Sequence, residues 1–174
     1  MAAFATHADL AARLGVTLSA GEQTRATTLL GLASDVIRRA ARQNIDLATS
    51  TITVRGASGR VLLPQRPVIS VASVSADSTT QEFTIDGDYL TGYWGGQDIE
   101  IEYTHGFDPV PDAIKAVCLE VVTRVWVNPG NADQEAYGSE RVSHGASTGL
   151  VLTDEERRAV RDVIRRGSQS VDIR

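Results

Sequence analysis

From Ile101 to Pro129 the chain reads IEYTHGFDPVPDAIKAVCLEVVTRVWVNP, and the residue pattern changes once within this segment. From Ile99, just before this segment, to Tyr103, isoleucine and tyrosine alternate with acidic residues, which predicts a strand with one buried face. After Pro111 the apolar residues recur at three- and four-residue steps, which predicts a helix. These apolar residues cover more than one side of the helix, so we expect it to lie centrally in a hydrophobic core.

The segments upstream fall into a helical part followed by a β-rich part. Thr6 with Asp9, and Ser19 with Glu22, have the spacing of a capping box, which predicts a helix start at each place. Between residues 49 and 104, short alternating runs are separated by glycine and proline turns. That pattern is typical of an antiparallel β-meander with one solvated face.

The pattern weakens after the central helix. A loop is predicted from Asn131 to Gly149, and a loop this long in a compact domain is usually functional or mobile. Thr153 and Glu156 then mark the start of a last helix. Its apolar stripe is thin and consists of Val160, Val163 and Ile164. Another face carries arginines at four-residue steps, namely Arg157, Arg161 and Arg165.

Together these patterns predict an α+β fold in a single domain spanning residues 1–174. A helical core of about four helices is expected from residues 1–44 and 108–165. The antiparallel meander, at about residues 49–104, is inserted between these two helical parts. The last helix is followed by a polar tail at residues 167–174.

Composition narrows the classes of function. The 174 residues include 17 basic and 22 acidic side chains, a net charge of -5, which argues against a nucleic-acid reader with a basic surface. Residues 44–152 hold six basic and fourteen acidic side chains, between two slightly basic ends. The N-terminus lacks the pattern of a signal peptide, and Ala113–Val127 is too short and too charged to span a bilayer. We therefore expect a soluble protein that is cytoplasmic where it is made.

No residue is predicted to act in catalysis, cofactor binding or metal binding. The three histidines lack the spacing of a zinc site, and no nucleophile or phosphate-binding motif is present. The single cysteine, Cys118, lies on an apolar stripe and is interpreted as an inert core residue that forms no internal disulfide. His105, at a strand exit, is either a catalytic base or part of a structural turn, and the missing nucleophile motif favours the turn.

One acidic feature also has two interpretations. Asp98, Glu100 and Glu102 share one face of the predicted strand. Three carboxylates in a row can bind a cation. More often such a row is the solvent side of an edge strand, which it protects against aggregation.

Five segments in their order resemble the head–tail connector, or head-to-tail adaptor, family of tailed bacteriophages. Two lie near the N-terminus, DLAARLG (Asp9–Gly15) and LSAGEQTRATTLLGLASDVIRR (Leu18–Arg39). The others are LPQRPVISVASV (Leu63–Val74), the segment Ile101–Pro129 quoted above, and GLVLTDEERRAV (Gly149–Val160). Together they span nearly the whole chain, and the segment Ile101–Pro129 is the most specific of them.

The resemblance implies a structural virion protein at the capsid–tail junction, present in the host cytoplasm during assembly, with no enzymatic activity, cofactor or membrane. Family members form a homo-oligomeric ring, usually twelve-fold, beneath the portal protein. Genomic DNA passes through the hole without sequence-specific binding, and a tail-side connector (stopper) protein docks below. The C-terminal segment typically grips the portal. The corresponding portal-interface candidates here are Arg157, Arg161, Arg165, Arg166, Ile173 and Arg174.

Two other functions stay open at this point. One is a small phage-encoded hydrolase that uses His105 with acidic neighbours. The other is a tail-completion or capsid-decoration protein, which shares the structural role but has a different partner.

Overall fold

The computed structural model describes residues 2–56, 59–128, 134–137, 140–143 and 149–170, with backbone alone at 134–137, 140–143, 166 and 168–170. Contacts divide the chain into two compact units. The helical unit comprises Met1–Ala41 and Pro111–Arg161, and the β-unit comprises Arg42–Val110 and Asp162–Arg174. Helices and antiparallel sheets are both present, so the predicted α+β fold class is confirmed. Within the described residues, no helix is long and apolar enough to cross a membrane.

Four helices are present in the described chain: α1 (His7–Leu14), α2 (Ala20–Ala41), α3 (Asp112–Val127) and α4 (Asp154–Ser170). At the start of α1, the Thr6 hydroxyl accepts the Asp9 N–H at 3.2 Å, and the Asp9 carboxylate accepts the Thr6 N–H at 2.8 Å. At the start of α2, the Glu22 carboxylate accepts the Ser19 N–H at 2.8 Å. Both helix starts predicted from capping boxes are therefore confirmed.

The core of the helical unit lies between α2 and α3. Fully buried side chains there include Leu30, Ala33, Ile37, Ile114, Cys118, Val121 and Val122. Ser34 is also buried there. Its hydroxyl tolerates burial because it donates to the Leu30 carbonyl at 2.7 Å, and it lies 3.6 Å from Cys118 Sγ. Burial raises the pKa of the Cys118 thiol. This cysteine is free and buried, which confirms the prediction of a core residue.

The β-unit contains two antiparallel sheets. In chain order the strands are β1 (Ala48–Arg55), β2 (Arg60–Leu62), β3 (Val68–Ala76), β4 (Thr79–Thr80), β5 (Thr84–Asp86), β6 (Tyr89–Thr91) and β7 (Asp98–His105). One sheet has the order β1-β7-β3-β4 and the other β2-β6-β5. Because β1 pairs with β7 rather than with its neighbour in sequence, the prediction of a simple meander is wrong, although the antiparallel pairing is confirmed.

The position of β7 explains this order. Ile99, Ile101 and Tyr103 are fully buried on one face of β7, in the core of the β-unit. On its two edges β7 is paired with β1 and β3, which satisfy its backbone groups. The interpretation of Asp98, Glu100 and Glu102 as part of an edge strand is therefore wrong. They lie on the solvent face of an inner strand.

Two further predictions need correction. The stretch predicted as a loop contains a hairpin, β8 (Gln134–Tyr137) paired antiparallel with β9 (Glu140–Ser143). Backbone pairing satisfies its polar groups without an apolar pattern that the sequence would reveal. In addition, α4 extends to Ser170, so residues 167–170 are helical rather than a tail. Residues 171–174 and His144 lie outside the described residues.

Candidate functional site

The segment predicted to contact a partner begins with the cap of α4. The Thr153 N–H donates to Glu156 Oε2 at 2.6 Å, and the Glu156 N–H donates to Thr153 Oγ1 at 3.2 Å. This reciprocal arrangement satisfies two backbone donors that the first turn of a helix leaves unpaired. The predicted start of the last helix is thereby confirmed.

An ion pair that the sequence analysis missed attaches α4 to α3. Arg124 Nη2 lies 2.7 Å from Glu156 Oε1, and the Glu156 residue is only 8% exposed. The sequence did contain a sign of this ion pair. Glu156 lies one helical turn before Val160, which places its carboxylate on the apolar side of α4. A carboxylate on that side needs a cationic partner, because an unpaired buried charge is strongly unfavourable.

The far end of α4 is also packed against its own unit. Ile164 is 8% exposed. At Gly167 a Cβ atom would lie 2.5 Å from Cζ of Phe107, so only a glycine permits this close approach. A glycine within a helix costs about 1 kcal/mol, and here it allows the contact with the aromatic ring. The thin apolar stripe is therefore supplemented by an ion pair at one end and a close contact at the other.

Another face of α4 carries the predicted portal-interface arginines. Arg157, Arg161 and Arg165 are exposed. Two of them form ion pairs within the helix, Arg157 with Asp154 at 3.2 Å and Arg165 with Asp162 at 3.3 Å. The structure thus places these three guanidinium groups in solvent on a helix held by its other face. Arg166 lies in α4 without a described side chain, and Ile173 and Arg174 lie outside the described residues.

The exposed carboxylates of β7 face a surface rich in hydroxyl groups. Glu100 and Glu102 are in register with Thr53 and Thr51 of β1, and Arg55 is the register partner of Asp98. No group of three potential ligands that could hold a metal ion occurs among the described residues. Carboxylates at alternate strand positions are about 6.8 Å apart along the strand. That spacing is too wide for direct coordination of one cation, for which oxygen ligands lie about 2.5 Å from the metal.

His105 is the last residue of β7 and is fully buried. Its Nε2 atom lies 2.8 Å from Ser50 Oγ, which resembles the nucleophile–base half of a hydrolase site. Nδ1 is buried and has no hydrogen-bond partner among the described residues, so no carboxylate orients the ring. Because the imidazole is buried, a substrate has no access to it, and no group orients the ring for catalysis. The geometry therefore favours the structural interpretation of His105.

We expect the buried His105 to make folding sensitive to pH. Burial lowers the pKa of His105 from its ordinary value of 6.5, so the native chain keeps the ring neutral. Below pH 6.5 the unfolded chain binds a proton that the native chain does not, and stability falls by at most about 1.4 kcal/mol per pH unit. Above pH 6.5 this contribution is fully present. The measurement is urea unfolding between pH 8 and pH 5.

The control for this prediction is His105→Gln, whose amide can replace Nε2 as the partner of Ser50. Its stability should change less between pH 8 and pH 5 than that of the original chain. Equal pH dependence in the original and His105→Gln chains would contradict the prediction. Asp9 does not interfere, because its hydrogen bond with Lys115 holds its pKa at about 2.

Comparison with known proteins shows that the fold is similar to that of chains from gene transfer agent particles. No family profile and no curated protein matches the chain. Among solved structures, 90% of the chain matches 87% of a chain from the virion of a native gene transfer agent particle, with a TM-score of 0.54 and 16% identity. The chain shares the fold of a gene transfer agent protein.

A second similar chain comes from the neck of an empty gene transfer agent particle computed with C6 symmetry. The match covers 76% of this chain and 81% of that one, with a TM-score of 0.51 and 14% identity. Because the two matches cover most of both chains, the similarity extends over helices and sheets alike. At this level of identity, what the chain shares with the gene transfer agent proteins is the fold.

Proposed function

We propose that this chain is a structural virion protein of the head–tail region, which forms a ring beneath a portal and connects the capsid to the tail. One observation carries the proposal: 90% of the chain has the fold of a protein in a gene transfer agent virion. The similar chain from a particle neck adds support for the head–tail position. The order of the sequence segments that resemble connector proteins is an independent argument for the same role.

In the proposed ring, identical copies surround the DNA without binding it in a sequence-specific way. The net charge of -5 suits this role, since a surface of lysine and arginine would hold the phosphates instead. We propose twelve copies, a number compatible with the C6 symmetry used for the similar neck structure. A tail-side connector protein is the proposed partner on the opposite side of the ring.

The portal contact is proposed to come from the C-terminal segment. Its first part, α4, is attached to the rest of the chain through Glu156 and Gly167. Another side therefore displays its arginines on a fixed helix, and a preorganised surface loses less entropy on binding than a mobile one. The six candidates remain Arg157, Arg161, Arg165, Arg166, Ile173 and Arg174.

Native mass spectrometry with the portal protein tests the proposal. We expect one portal ring to bind about twelve copies of the chain, because contacts repeated around a closed ring reinforce one another. A chain that ends at Ser170 retains the described part of α4 but lacks Ile173 and Arg174. It should bind fewer copies to the portal and show an unchanged melting temperature.

Two results would contradict this assignment. Binding of a single copy, or none, by the full chain would rule out a portal-bound ring. Binding to a completed tail rather than to a portal would instead identify a tail-completion protein.

A further inference from the structure

Two exposed rows of opposite charge lead to a further inference, which rests on the ring proposed above. The acidic row consists of Asp98, Glu100 and Glu102, all exposed on the solvent face of β7. Alternate residues of a strand are about 6.8 Å apart, so the row is about 14 Å long. Three like charges along one strand repel each other, and a cationic partner would relieve that repulsion.

The surroundings of the acidic row leave it open to a partner. On β1 its register neighbours are Thr51, Thr53 and, opposite Asp98, Arg55; on β3 they are Ser73 and Ser75. The threonine and serine side chains are short and uncharged, so they neither cover nor neutralise Glu100 and Glu102. Among the described residues, none of these three carboxylates forms an ion pair with a residue of β1 or β3.

The basic row consists of Arg157, Arg161 and Arg165 of α4. Four-residue steps in a helix advance about 6 Å and return to nearly the same side, so this row is about 12 Å long. The side chains of Arg157 and Arg165 are 43% and 73% exposed. Their ion pairs with Asp154 and Asp162 lie at the surface, where such pairs contribute little and exchange readily.

The two rows match in length to within about 2 Å, a difference that flexible arginine side chains can absorb. A closed ring is built from a heterologous interface, in which two different faces of each copy are complementary. We propose that the basic row of one copy docks on the acidic row of the neighbouring copy in the ring. The six portal candidates are thereby divided, and Arg166, Ile173 and Arg174 are left to contact the portal.

A charge-swap experiment tests this interface. Arg161→Glu, Glu100→Arg and the double variant are each mixed with portal, and the bound copies are counted by native mass spectrometry. Each single reversal puts like charges opposite each other at every interface and should lower the fraction of complete rings about tenfold. The double variant restores opposite charges at every interface, so its rings should return to about the level of the original chain.

Exposed positions outside both rows provide matched controls. Arg39→Glu and Glu82→Arg make the same charge changes on exposed residues and should leave ring formation unchanged. Melting temperatures of all variants show that each one is folded. Two results would overturn the interface: normal rings with either single reversal, or no recovery in the double variant. The latter would assign the basic row to the portal.

The experiment also separates this inference from the proposed function. If the original chain assembles on the portal and the single reversals do not disturb the rings, only the interface is wrong. If the original chain itself fails to assemble on the portal, the ring and the interface are both overturned.

Discussion

Replacement of Gly106 with alanine is expected to lower the free energy of unfolding by about 3 kcal/mol, among the larger effects of a single substitution. Gly106 follows β7 with a φ of 96°, in a region that favours glycine. An added Cβ would lie 2.3 Å from the Asp46 carbonyl oxygen, which belongs to the backbone and cannot rotate away. The Gly106 N–H also donates to the Pro67 carbonyl at 3.0 Å, and a shift of the backbone would break this bond.

Gly31 provides the matched control. It lies within α2, and an added Cβ there meets no atom within 4 Å. Because alanine favours a helix by about 1 kcal/mol over glycine, Gly31→Ala should stabilise the chain. Urea unfolding of both variants gives the comparison. A Gly106→Ala chain as stable as the original would show that the turn after β7 can adopt another backbone conformation.

The second large effect is expected at Glu156. Replacement with alanine leaves Arg124 without its carboxylate and removes the side chain that accepts the Thr153 N–H. Breaking a largely buried ion pair by removal of one partner should lower the free energy of unfolding by about 3 kcal/mol. In the Glu156→Ala chain we expect the first turns of α4 to lose protection from hydrogen exchange, while the amides of β7 remain protected.

A substitution at the neighbouring Glu155 separates the effect of this ion pair from a general effect of negative charge at the start of the helix. Glu155 carries the same charge at the start of α4 but is exposed. Glu155→Ala should change stability by less than about 0.5 kcal/mol, as is usual for surface substitutions. Equal losses in the two variants would indicate that the N-terminal charge of the helix matters and that the contact with Arg124 does not.

The local elements of the fold were predictable from the sequence because neighbouring residues form them. Thr6 and Asp9 cap α1 through bonds across three residues, and no distant contact is needed. The alternation along β7 likewise shows which face is buried, since successive side chains of a strand point to opposite sides. The row of arginines on α4 follows from helical periodicity in the same way, and the structure places its three described members in solvent.

The pairing of distant elements was decided only by the tertiary structure. Residue patterns do not specify that β1 and β7 are partners, because their register joins residues about fifty positions apart. Arg124 and Glu156, which are 32 residues apart, form a pair only because the tertiary structure brings α3 and α4 close together at this point. The hairpin of β8 and β9 was missed for a related reason: its stability comes from backbone hydrogen bonds, which every residue except proline can form.

The charged rows of the candidate site also depend partly on the sequence and partly on the tertiary structure. The sequence determined which residues are charged and which side of α4 or β7 they share, because both properties depend on identity and spacing alone. The tertiary structure decided that β7 is an inner strand whose carboxylates face solvent, and that α4 is held by a different side from the one that carries its arginines. Exposure of a charged row depends on which elements cover it, and that is a property of packing between segments far apart in the chain.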